Sequence, residues 1–130
     1  MNLMEAVQQV NEASSSELYF IRGREKGDVR NLLGREIIFE DVAVVTSKYY
    51  NNENVLFTVR GDSTHYYRLT SGPVVEAVKK LMEGLENDGK DWDALAVRIS
   101  EVRSKKGRRY YVLTARILEE EEEAEEQIAL

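Results

Sequence analysis

Cysteine is absent from this chain of 130 residues, and histidine and tryptophan each occur only once. Without a thiol the protein can form no disulfide, no thiolate metal site and no cysteine nucleophile. The single histidine, His65, leaves too few ligands for the usual zinc sites. The glycines match neither a phosphate-binding loop nor a dinucleotide fingerprint. We therefore expect a protein that is not an enzyme and that holds no cofactor and no metal.

Long apolar runs are also missing. No stretch approaches the roughly 18 apolar residues of a membrane-spanning helix. Residues 1–16, MNLMEAVQQVNEASSS, have neither the basic nor the apolar region of a secretion signal. These absences predict a cytoplasmic protein, in the host cytoplasm if the source is viral. The length favours one domain, and 42% hydrophobic residues suffice for an ordinary core.

Charge is distributed unevenly along the chain, although the net charge is only −6. Seven glutamates lie between Glu119 and Glu126, and without them 17 acidic residues face 18 basic ones. From Arg98 to Arg116 there are seven basic residues and one acid, Glu101. A basic segment therefore runs directly into an acidic tail, which indicates a polyanionic partner for the basic part.

Strand patterns dominate the body of the chain. Alternation of apolar and polar residues, with many β-branched and aromatic side chains, predicts five strands over 34–50, 55–61, 64–70, 95–100 and 108–117. The first strand is long and should bend. The last strand should turn four side chains toward the core, namely Tyr111, Leu113, Ala115 and Ile117.

Helical spacing is clear in one place. Apolar residues recur at helical intervals from Val74 to Leu85, after Pro73 and before Gly89, which predicts one long helix between the third and fourth strands. A short helix over 3–10 and a short strand over 18–21 are expected ahead of the first long strand.

This order of elements resembles that of the five-stranded oligonucleotide/oligosaccharide-binding (OB) barrel. With the basic stretch from Arg98 to Arg109 and the tail EEEEEAEEQIAL, residues 18–130 resemble the small single-stranded DNA-binding proteins of bacteriophages and viruses. These proteins pair an OB-like barrel with an acidic C-terminal tail, although the bacterial tails are rich in Asp and end in Pro-Phe. The resemblance implies a mainly β domain over 1–118: a five-stranded OB-like barrel with a helix between strands three and four, plus a short N-terminal helix and strand. The acidic tail would then cover 119–130, and because it is too acidic to pack we expect it to be disordered.

Binding to a nucleic-acid strand requires cations for the phosphates and flat side chains on which bases stack. Both occur on the predicted outward faces and in the loops. The candidate nucleic-acid-binding residues are Lys48, Tyr49, Tyr50, Arg60, Tyr66, Arg68, Arg98, Arg103, Lys105, Lys106, Arg108, Arg109 and Tyr110.

No pattern that would read base edges is visible, so we predict sequence-independent binding of single-stranded DNA in replication, recombination or repair. The alternatives are an OB-fold protein-interaction module, an RNA-binding protein with no role on DNA, and a structural component of a larger particle. The tail is expected to compete with nucleic acid for the basic groove or to dock replication or recombination proteins. The sequence leaves open whether the protein forms a homodimer.

Overall fold

The computed structural model describes residues 1–8, 20–46 and 52–118, and within these ranges the fold is mainly β. Seven strands form two sheets. The four-stranded sheet has the order β1-β5-β4-β3, and the three-stranded sheet has the order β2-β6-β7. The strands are β1 (Glu25–Lys26), β2 (Glu36–Ile37), β3 (Phe39–Thr46), β4 (Glu53–Val59), β5 (His65–Leu69), β6 (Leu95–Arg103) and β7 (Arg109–Ile117).

One interrupted strand belongs to both sheets. β2 pairs with β6, and after a break at Ile38 the chain continues as β3 and pairs with β4. Both pairings are antiparallel, and the register of β3 against β4 shifts between Phe39 and Val42. The bend expected for the first long strand is confirmed, although residues 47–50 lie outside the described part. Because this strand turns from one sheet into the other, the two sheets enclose a common core.

The main helix, α2 (Gly72–Asp88), confirms the helical spacing. It begins one residue before Pro73 and is capped at its C-terminus by Gly89, whose φ of 64° is the left-handed conformation that glycine adopts without strain. Its buried face, with Val74 and Val78 at 0% exposure, packs against β4 and β7. A shorter helical segment, α1, is described over residues 3–8 of the predicted 3–10, whose last two residues lie outside the described part; its Leu3, Met4 and Val7 are exposed.

Aromatic rings fill the centre of the core. Phe39 and Phe57 have ring centroids 4.5 Å apart, and Trp92 meets Phe39 edge to face at 5.4 Å. Tyr67 stacks on Phe57 at 5.5 Å. Trp92 is therefore a core residue, placed by the 3₁₀ turn Trp92–Ala94 at the start of β6.

The opposite face of β4 is also buried. Leu56 on β4 and Ala43 on β3 pack with Phe20, and Ile21, Val45 and Tyr66 surround this second cluster. The predicted strand over 18–21 is wrong in its described half, because Phe20 and Ile21 form a 3₁₀ turn whose side chains cover the sheet. Leu18 and Tyr19 lie outside the described residues.

The expected five-stranded barrel differs from the described fold in two respects. The two sheets do not close into a barrel, since no described backbone ladder joins β5 to β7. On β7, Tyr111 and Leu113 are half-buried as expected, but Ala115 and Ile117 are exposed because no described element covers that end of the strand. Within the described ranges no helix is long and apolar enough to span a membrane.

Candidate nucleic-acid interface

The hairpin of β6 and β7 carries the strongest positive charge. Its turn is closed by the Ser104 N–H, which donates to the Arg108 carbonyl at 2.8 Å, and by the Gly107 N–H, which donates to the Ser104 carbonyl at 2.9 Å. Gly107 has a φ of 82°, which favours glycine there. We call the exposed cations of this turn and its flanks the basic hairpin: Arg103, Lys105, Lys106, Arg108 and Arg109.

Two of these arginines face each other directly. Arg103 and Arg109 are partners in the strand register, and both are exposed. Like charges directly opposite in an antiparallel pair destabilise the hairpin. Glu101 lies 3.4 Å from Arg109 and offsets one of the two charges. The repulsion that remains between the two arginines destabilises the hairpin, and an external polyanion would relieve it.

An open groove of about 860 Å³ begins beside this hairpin. One wall is the segment from Lys26 to Arg30, another is the end of β5 with the start of α2, and the third is β7. We call it the basic groove because four cations line it: Lys26, Arg30, Arg68 and Arg109. Tyr110 and Tyr111 line the same space and offer aromatic surface beside the cations.

The partners of these cations leave an excess of positive charge. Arg30 forms an ion pair with Asp28 at 2.7 Å, and its hydrogen bonds hold the pKa of the Asp28 carboxyl below its ordinary value. The Arg68 Nε donates to the amide oxygen of the buried Asn54 at 3.2 Å, a neutral partner that leaves its charge uncompensated. Asp28 and Glu101 are the two carboxylates among the groove residues. The groove therefore carries four cations against two anions.

One side-chain bond spans the groove where a barrel would close. The Ser71 Oγ, just before α2, donates to the Tyr111 carbonyl at 2.7 Å. This bond ties the end of β5 to β7 without a backbone ladder. It holds the two walls of the groove at a fixed separation.

Only some of the predicted site residues come together. Arg68, Arg109 and Tyr110 line the groove, and the other members of the basic hairpin continue from it. Tyr66 is half-buried against the second cluster, so its ring is not the open stacking platform that the sequence predicts. Lys48, Tyr49 and Tyr50 lie outside the described residues.

Two predicted residues lie apart from the groove. Arg60 lines a separate small pocket with Glu40, Asp91 and Asp93, in acidic surroundings. Arg98 projects from the outer face of the three-stranded sheet, opposite Glu36 in the register. Arg60 follows β4 at the turn toward β5, whereas Arg68 lies opposite Leu56 further along the hairpin, so the two side chains do not share a site.

Lys26, Arg30 and Tyr111 are groove residues that the sequence prediction missed. The segment from Gly23 to Asp28 is charged and contains two glycines, a composition typical of a turn. In the structure it contains β1, which pairs in parallel with β5 and thereby brings Lys26 next to Arg68. No local sequence pattern predicts a parallel strand of only two residues.

The sole histidine belongs to a turn cluster around Asp62. The Thr64 N–H donates to the Asp62 carboxylate at 2.9 Å, and the His65 Nδ1 lies 3.0 Å from it. The Thr64 backbone bond is the largest cause that lowers the pKa of Asp62 to about 2. Arg24 donates to the carbonyls of Asp62 and His65 from the same side. The cluster fixes the turn between β4 and β5.

Within the described ranges no group of three or more histidine, cysteine, aspartate and glutamate side chains could hold a metal ion. The comparisons with known proteins yield no match: no family model, no curated protein and no solved structure matches this chain.

Proposed function

We propose that the protein binds single-stranded DNA without sequence preference, in the basic groove and along the basic hairpin. The observation that carries this proposal is the pair of directly opposed arginines, Arg103 and Arg109, at the mouth of a groove that holds further cations and two tyrosines. A phosphate backbone neutralises such cations, and bases stack on tyrosine faces with about 1–3 kcal/mol each.

An OB-like architecture is part of the proposal. The bent strand of β2 and β3 pairs with both β6 and β4, the β4–β5 hairpin follows, and α2 separates β5 from β6. This connectivity resembles that of the OB fold and supports the OB-like part of the proposal. Here the gap between β5 and β7 is bridged by the Ser71 side chain, and the basic groove lies along that gap.

Single strands suit the groove better than duplex. It is lined by side chains on three sides, and its aromatic rings can meet only bases that are splayed out of a helix. A role in replication, recombination or repair, as in the phage and viral proteins that the chain resembles, follows as part of this proposal. The acidic tail would then supply the contact with partner proteins.

Fluorescence anisotropy with labelled oligo-dT, oligo-U and duplex DNA of equal length tests the proposal. We expect oligo-dT to bind most tightly, with an affinity that falls steeply with salt. Preference for oligo-U would identify an RNA-binding protein. Equal binding of duplex, or no binding at low salt, would overturn the proposal and favour the protein-interaction module.

Two variants localise the binding. Lys26→Gln combined with Arg109→Gln removes two groove cations, whereas Lys80→Gln removes one exposed cation on α2 away from the groove. The double variant should lose affinity for all oligonucleotides, and the α2 variant should bind like the parent protein. Equal losses in both would show that general charge, and not the groove, attracts the nucleic acid.

A further inference from the structure

β7 is the edge strand of the three-stranded sheet. The hydrogen bonds of its turn show which of its backbone N–H and C=O groups point away from β6. The Ser104 N–H bonds to the Arg108 carbonyl, so these two residues form a hydrogen-bonded pair. Hydrogen-bonded pairs alternate with non-hydrogen-bonded pairs along an antiparallel ladder, so the even-numbered residues of β7 bond to β6. The odd-numbered residues of β7 therefore point their N–H and C=O groups away from β6. The Gly34 N–H, which donates to the Ile99 carbonyl on the far side of β6, follows the same alternation.

Among the described residues, only the first half of this edge has a partner. The Tyr111 carbonyl accepts the Ser71 hydroxyl, but no strand of the described ranges pairs with β7 from Leu113 to Ile117. The same stretch exposes the apolar residues Ala115 and Ile117, the latter at 41%. Backbone groups that no described strand pairs thus coincide with exposed apolar side chains, and an added strand would satisfy both.

We propose that a second copy of this chain adds its β7 to this edge, antiparallel and centred on Ala115. In that register the Ala115 residues of the two copies exchange both backbone hydrogen bonds, and each Leu113 lies opposite Ile117 of the other copy. One face of the new pair is then a continuous apolar row. The six strands of the two three-stranded sheets become one continuous sheet.

The charge pattern favours a second copy as the occupant. In this register Arg116 lies opposite Thr114 of the other copy, so no like charges face each other across the new ladder. The twofold axis also places the two basic hairpins at opposite ends of the joined sheet. An acidic peptide, by contrast, would be drawn toward the arginines at the other end of β7, where Ser71 already engages the edge.

Disulfide trapping tests the register. Because the chain has no cysteine, each single-cysteine variant carries only the thiol that was introduced. Ala115→Cys gives one thiol per chain, and in a hydrogen-bonded antiparallel pair the two Cα atoms would be about 5.5 Å apart, a separation typical of disulfides. Lys80→Cys provides an exposed single thiol on α2 as the control. We expect mild oxidation to trap the Ala115→Cys protein as a covalent dimer about tenfold faster than the control. Equal rates would overturn the proposed register.

Sedimentation equilibrium without nucleic acid tests the association itself and is independent of the DNA-binding proposal. The parent protein should sediment as a dimer, and Ala115→Lys or Ile117→Lys should raise the dimer dissociation constant by about tenfold or more, since an edge lysine opposes strand addition. Circular dichroism checks that each variant is folded. Because two positions are substituted separately, the test still stands if one of the two variants does not fold. A monomeric parent protein at concentrations of a few hundred micromolar, on the order used to detect weak dimers, would overturn the proposal.

Discussion

Replacing Arg103 should stabilise the fold and weaken nucleic-acid binding at the same time. Arg103 faces Arg109 across the hairpin, and Arg109 already has Glu101 at 3.4 Å. Arg103→Gln keeps the length of the side chain and removes the repulsion between the two guanidinium groups. A like-charge pair of exposed residues costs on the order of 0.2–1 kcal/mol, so we expect the free energy of unfolding to rise by about 0.5 kcal/mol.

The effect on binding has the opposite sign. The basic groove and basic hairpin together present eight cations, of which two are offset by Asp28 and Glu101. At about 0.7 per phosphate contact on a single strand, the slope of log K against log salt should approach about −4 if all six remaining cations engage phosphate. Arg103→Gln should reduce the steepness of that slope by about 0.7.

Urea unfolding at low and high salt and anisotropy titrations of oligo-dT measure the two effects. The gain in stability should vanish at about 1 M salt, where charges more than a few ångströms apart are screened. Lys80→Gln, with the same change of charge on α2, should alter neither quantity. A loss of stability in Arg103→Gln at low salt, or binding that matches the Lys80→Gln protein, would refute the argument that this arginine pair is kept for a polyanion.

Four further predictions concern other parts of the molecule. Tyr110→Ala should weaken oligo-dT binding by about 1–3 kcal/mol with an unchanged salt slope, because a stacking surface and no charge is lost; an altered slope would contradict a stacking role. Gly27→Ala should destabilise the fold by about 1–3 kcal/mol in urea unfolding, because its Cβ would lie 2.8 Å from the Cζ atom of the buried Tyr67; a stable variant would mean that the ring can move. Asp62→Asn should cost about 1 kcal/mol above pH 4, and this difference should disappear as the pH falls through about 2, because the lowered pKa of Asp62 stabilises the fold only while the carboxyl is ionised; a difference that is independent of pH would contradict this role. Truncation after Leu118 should tighten oligo-dT binding at low salt, with a smaller gain as salt rises, because seven tethered glutamates compete with phosphate for the same cations; weaker binding after truncation would contradict competition.

Local patterns in the sequence determined the elements that depend mainly on nearby residues. The apolar spacing from Val74 to Leu85 with Gly89 after it predicted α2, because helix periodicity and the left-handed cap are local properties. Alternation of apolar and polar residues predicted the strands that form the β4–β5 and β6–β7 hairpins for the same reason. The clustered cations from Arg98 to Arg116 predicted a basic surface, since the tight turn between β6 and β7 keeps charges that are adjacent in sequence adjacent in space.

Tertiary structure alone decided which outward faces are free. Alternation places Leu56 and Tyr66 outside the core, yet the turn at Phe20 and Ile21 covers them, and no pattern in β4 reveals that distant contact. Long-range packing similarly brings Glu40, Asp91 and Asp93 next to Arg60, in acidic surroundings away from the groove that Arg68 lines.

The groove itself is a product of long-range pairing. Lys26 joins Arg68 only because two residues of β1 pair in parallel with β5, and Tyr111 joins them through the Ser71 bond across the open gap. Period-two alternation specifies the face of a strand to which a side chain belongs, but the cover on that face depends on segments far away in the chain. For this reason alternation predicts Ala115 and Ile117 to be core residues, whereas in the folded sheet they lie exposed at its edge.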